Sequence, residues 1–130
     1  MGVTAIKEVV NNSPHTVHLY NTENDKKFMN GGDIAPFSTQ AVDMWIPWVP
    51  VDWHLRQHHI KIAIGDDYDH RKRFAIYQYA DVDGDFVRMY RSGPDGTAGL
   101  TRNRIGGEAR VDGDRRMIIA ADGEISLERI

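Results

Sequence analysis

The Asp-Gly pairs that punctuate this chain constrain its fold more than any other feature. Three of them, Asp83-Gly84, Asp112-Gly113 and Asp122-Gly123, stand between short runs rich in β-favouring residues. Type I′ hairpin turns need φ > 0 at both central positions, which Asp tolerates and Gly adopts freely, so these pairs predict hairpins. An amphipathic helix would instead need apolar residues recurring every three or four positions. Only residues 52–59 are a candidate for a helical turn or two.

The runs between the turns alternate with period two. Residues 4–10 form a β-favouring stretch that stops at Asn11-Asn12-Ser13-Pro14, whose side chains and fixed proline φ are turn chemistry. Residues 15–20 set Val17 and Leu19 on one face. Residues 38–46 set Val42, Met44 and Ile46 on one face and Asp43 and Trp45 on the other. In residues 59–64, Ile60, Ile62 and Ile64 point inward, and His59, Lys61 and Ala63 outward. Residues 73–80 and 86–91 flank the first Asp-Gly turn, and the later two are expected to join 107–111, 115–121 and 124–130 as hairpins. Residues 92–106, with Pro94 and no periodicity, read as a long loop.

Together these segments predict about nine or ten short strands in an antiparallel β-sandwich or flattened β-barrel. Pairing is expected to be mostly antiparallel, because parallel neighbours need crossovers of a dozen or more residues. No internal repeat is present. Length adds that residues 1–130 make a single all-β domain, since 130 residues at 41% hydrophobic suffice for one core and not two.

Charge and composition exclude several classes of function. Lys and Arg number 16 against 19 Asp and Glu, a formal charge of −3, so no electrostatic footprint for nucleic acid is present. With no cysteine, disulfides, thiol catalysis and thiolate metal sites are ruled out. No apolar run approaches the roughly 18 residues of a membrane span, and residues 1–10 lack the apolar run of a signal peptide, so a cytoplasmic location is expected.

The segment 44–53 holds all three tryptophans, Trp45, Trp48 and Trp53. Each indole offers roughly 150–250 Å² for burial, on the order of 4–6 kcal/mol at about 25 cal/mol per Å². Leaving one exposed therefore calls for a use, and an indole beside a carboxylate suits a sugar. The ring stacks on the apolar C–H face while the carboxylate of Asp43 accepts hydroxyl hydrogen bonds. The alternatives are that the tryptophans plug the end of the core or are buried between subunits of a homo-oligomer.

A turn centred on Asp83-Gly84 would place Tyr79 opposite Arg88 and Tyr77 opposite Tyr90, all on one face. Phenol hydroxyls and a guanidinium could line a polar pocket, or form a cross-strand ladder with a cation–π contact. Among the histidines, His54 and His58 share one face of a helical turn, with Asp52 as a possible third metal ligand or as an acid–base partner in a small barrel enzyme of isomerase or cyclase type. The intervening Leu55-Arg56-Gln57 puts a cation where a metal site disfavours one. Residues 81–85 resemble the start of a calcium loop, yet the twelfth position is Ser92 rather than Glu, and the hairpin explains the same letters. Recognisable nucleophile, phosphate-loop and dinucleotide motifs are lacking. The expected function is thus a lectin-like carbohydrate-binding module, more a binder than an enzyme, without cofactor or metal. A glycan or other small molecule is its expected ligand, and self-association compensates a modest single-site affinity.

Overall fold

A computed structural model of the chain describes residues 4–22, 33–49, 58–67, 71–81, 84–91 and 103–130. Among them are ten strands and no helix: β1 (Thr4–Asn11), β2 (Val17–Asn21), β3 (Asp33–Ile34), β4 (Ser38–Trp45), β5 (Ile60–Ile64), β6 (Lys72–Asp81), β7 (Gly84–Arg91), β8 (Gly106–Gly107), β9 (Gly113–Ile119) and β10 (Ile125–Arg129). Two five-stranded sheets result, ordered β4-β1-β9-β10-β8 (sheet A) and β3-β2-β5-β6-β7 (sheet B). They do not close, so the fold is a β-sandwich rather than a barrel. No described helix is long and apolar enough to cross a membrane.

The period-two pattern becomes the core. Ile6, Val9, Met117 and Leu127 from sheet A meet Leu19, Ile62, Ile76 and Val87 from sheet B in one buried cluster. Sheet B departs from simple alternation, because its other face is covered as well. Ala63, expected outward, is buried, as are Ala75 and Tyr77 on the neighbouring strand. His59 is also buried, its backbone exchanging hydrogen bonds of 3.0 Å with Thr22.

The expected predominance of antiparallel pairing holds, with two departures in detail. Most pairs are antiparallel, but β1 runs parallel to β9 and β8 parallel to β10. The crossover argument holds for chain neighbours, and these strands are far apart in the chain. The three Asp-Gly turns also behave differently. Asp122-Gly123 closes the expected β9–β10 hairpin, with Gly123 at φ 88° and its N–H donating to Ala120 O at 2.9 Å. Asp112 and Gly113 both have positive φ, at 82° and 97°, but make no hairpin. The residues before them pair elsewhere, Gly106–Gly107 with β10 and Arg104 and Arg110 with β7, so 107–111 is not one strand. The β6–β7 ladder closes on Asp81 and Gly84, one residue earlier than a turn centred on Asp83-Gly84.

Segments that belong to both sheets stitch the sandwich. At one corner, Ile46 N–H donates to Thr4 O at 2.9 Å in sheet A. Gln78 N–H then donates to Pro47 O at 2.7 Å, and Val49 N–H to Gln78 O at 2.9 Å, in sheet B. At the other corner, residues 103–111 bond β7 while Gly106–Gly107 lie against β10. The approach there is close. Gly107 has φ 79°, and a Cβ on it would overlap the Leu127 carbonyl oxygen.

Candidate functional site

The outer face of sheet A carries an exposed indole on a charge-laddered surface. Trp45 ends β4 and is 62% exposed, while the residues before and after it in the alternation, Met44 and Ile46, are buried. Asp43 shares its face, as the sequence predicts. Ala5, a small residue, stands opposite Trp45 on β1, with Asp114 of β9 on its far side. The indole therefore projects from a strand fixed by its neighbours, not from a loop.

A bulge in β1 builds the charges beside it. The register of β1 shifts between Ile6 and Glu8 against both neighbours. An extra residue in a strand lets two successive side chains face the same way. Lys7 and Glu8 are both half-buried, between the buried Ile6 and Val9. Lys7 Nζ reaches Asp43 Oδ1 at 2.6 Å towards β4, and Glu8 Oε1 accepts from Arg116 Nε at 2.6 Å towards β9. Arg116 continues to Glu128 at 2.7 Å, so the ladder crosses four strands. Hydrogen bonding with Asp43 raises the Lys7 pKa above the ordinary lysine value. Asp43 and Lys7 thus set an acceptor and a donor next to an exposed aromatic ring, with the Asp114 carboxylate close by.

The other tryptophans part company with Trp45. Trp48 is half-buried beyond Pro47, where the chain has left sheet A and its backbone bridges Gln78 of β6. Trp53 lies outside the described residues, as do Asp52 and His54. His58 is half-buried just before β5. Among the described residues there is no group of three or more His, Asp or Glu that could hold a metal ion.

Tyr77, Tyr79, Arg88 and Tyr90 do share one face of the β6–β7 ribbon, but with other partners than expected. Tyr77 stands opposite Arg88, Tyr79 opposite Phe86, and Tyr90 opposite Ala75. Moving the closing pair by one residue shifts the register by two, which preserves the face and changes every pair. Tyr77 and Arg88 are buried there, and the Tyr77 and Tyr90 rings stack at 6.2 Å with Val49 packed against Tyr77. The Arg88 guanidinium carbon lies 5.9 Å from the ring centres of both Tyr79 and Phe86. This cluster is a small second core on the outer side of sheet B.

Sequence reasoning missed the opposite end of the sandwich. There, His18 Nδ1 lies 2.6 Å from Asp33 Oδ1 and its Nε2 3.3 Å from Gly65 O, while His15 Nδ1 lies 4.0 Å from Asp66. Hydrogen bonds from Thr16 hold the Asp66 carboxyl below the usual carboxylate range. The buried Asn11 side chain donates to His15 O at 2.8 Å and Ala35 O at 3.0 Å, fixing two loops at once. Beside it Phe37 is 71% exposed at φ 53°. The sequence signals for this end are the turn composition of 11–14, the His15 and His18 pair and the acidic Asp66-Asp67.

Comparison with known proteins finds no family model, no curated protein and no solved structure that matches the chain.

Proposed function

We propose that the protein is a carbohydrate-binding module whose sugar stacks on Trp45 and hydrogen-bonds to Asp43 and Lys7. The observation that carries this reading is the 62% exposure of Trp45 on a regular strand, beside a carboxylate and an ammonium on the same face. A pyranose has one apolar C–H face and a rim of hydroxyls, which the indole and the flanking charges complement. Contact with so few groups gives modest affinity per site, so several sites or self-association would raise avidity.

Titration of indole fluorescence and of the melting midpoint with mono- and oligosaccharides tests it. A native-state ligand raises the midpoint. Saturable binding that disappears in Trp45→Ala and weakens in Asp43→Asn supports the module, and a panel without response overturns it.

A second reading follows from the place of Trp45 on β4, an edge strand of sheet A among the described residues. An exposed aromatic on a sheet edge also suits contact between copies of the chain. Sedimentation of the wild type and Trp45→Ala separates the two: dissociation by the substitution favours the interface, and unchanged mass with lost sugar binding favours the module.

A further inference from the structure

The end of the sandwich away from Trp45 holds a cleft whose charge is divided along its length. Because β1 pairs Thr4 with Gly113 and Asn11 with Ile119, the β9–β10 turn lies at the end of sheet A opposite to Ala5 and Trp45. Between that turn and the connection from β5 to β6 are two adjoining hollows of about 470 and 540 Å³, which share Lys72, Asp122 and Gly123. These volumes fall within the roughly 300–1,000 Å³ of small-molecule sites.

The two hollows differ in sign. Arg71, Lys72, Arg73 and Arg91 line the first against the carboxylates of Asp122 and Glu124. Arg91 forks onto Glu124 with Nη1–Oε1 at 2.9 Å and Nη2–Oε2 at 3.0 Å, which neutralises that pair and ties β7 to the turn. Lys72 Nζ instead donates to the backbone carbonyl of Asp122 at 3.1 Å, and among the described residues no carboxylate lies in ion-pair range of it. Its charge remains available at the junction. Beyond it, the second hollow is lined by His15, Asp66 and Asp67, whose carboxylates are hydrogen-bond acceptors.

We infer that this joined cleft is a second binding site, for a saccharide that carries an oxyanion, such as a uronic acid or a sulfated sugar. The oxyanion sits against Lys72, and hydroxyls on the far side of the ring donate to Asp66 and Asp67. The saccharide half of the inference rests on the carbohydrate reading above; the oxyanion half rests on the cleft alone.

Calorimetric titration of the whole chain with glucuronic acid, galactose 6-sulfate, galactose and inorganic sulfate, at low ionic strength, tests it. Both acidic sugars are expected to bind, and Lys72→Ala to weaken them at least about tenfold, the scale of a lost charged hydrogen bond. Lys72→Arg restores most of the affinity, which excludes a folding defect, and Trp45→Ala leaves it unchanged. Acidic sugars that do not bind, or that bind Lys72→Ala as tightly as the wild type, overturn the site. Sulfate binding as tightly as galactose 6-sulfate overturns the saccharide assignment. Failure of the Trp45 site alone appears separately, as galactose binding indifferent to Trp45→Ala.

Discussion

Thr4 and Gln78 are joined by a 2.8 Å hydrogen bond through the interior, from Thr4 Oγ1 to Gln78 Oε1. Thr4 opens β1 in sheet A, and Gln78 follows the buried Phe74 and Ile76 on the same face of β6 in sheet B. The same hydroxyl accepts from Asp112 N–H at 2.7 Å, and the Gln78 amide donates to Ile46 O. One buried network thus fixes the crossover at 46–49 and the positive-φ turn at 112–113. Gln78→Leu keeps the volume but strands the Ile46 carbonyl, and the loss should be about 2–3 kcal/mol by urea denaturation. Thr4→Val and Gln78→Leu together should cost less than the sum of the two.

Gly107 is the point where β8 meets β10. Its positive φ and the adjacent Leu127 carbonyl leave no room for a side chain, so Gly107→Ala must move the backbone of β8. A destabilisation of about 2 kcal/mol or more is expected, whereas Gly106→Ala, at a φ outside the left-handed region and with contacts no closer than 3.5 Å, should cost less than half of that. Equal effects would remove the close approach as the cause.

Phe37 runs the other way. A bulky residue at φ 53° stores backbone strain, and at 71% exposure its ring contributes little burial in return. Phe37→Gly should therefore stabilise the fold by up to about 1 kcal/mol, the scale of the left-handed penalty. A loss of stability on denaturant titration would mean that the ring is held by contacts in solution.

The Arg91–Glu124 pair sets the sign of one pH response. Hydrogen bonding from Arg91 holds the Glu124 pKa below its ordinary value of 4.5. Between the lowered folded value and the unfolded one, the unfolded chain binds more protons, so stability rises with pH there. The contribution is present above the unfolded value and is lost as pH falls through the folded one. Glu124→Gln should flatten the acid limb of a melting curve recorded from pH 6 downward, and 1 M NaCl should shrink the difference between the two proteins, because the pair is exposed.

What the sequence made legible is local. Period two placed Asp43 and Trp45 on one face and Val42 and Met44 on the other, because a strand's own pleat decides that. The bulge at Lys7 left no mark on the pattern, so the partnership of Lys7 with Asp43 was hidden. Gly106 read as loop and Gly107 as the start of a 107–111 strand, because β8 is defined by backbone hydrogen bonds that leave no side-chain signature. The acid–base cleft was invisible for a different reason: Asp66 and Lys72 sit together at the β5–β6 connection, but only sheet packing brings the distant β9–β10 turn with Asp122 against them. In the Tyr77–Arg88 ribbon, face was correct and partner was not, since one residue of turn placement changes pairs in steps of two.

The parallel pairing of β1 with β9 bears on the order in which the molecule can assemble. Glu8 and Arg116 stand 108 residues apart in the chain, yet β9 occupies the centre of sheet A. During synthesis β1 can pair with β4 early, and one of its edges then waits, unpaired, until β9 has emerged. Such non-local closure makes folding slow and leaves a sticky strand edge open in the interval. Refolding of this chain should therefore be limited by docking of the β9–β10 hairpin, and substitutions that weaken that hairpin should raise aggregation before they lower the melting temperature.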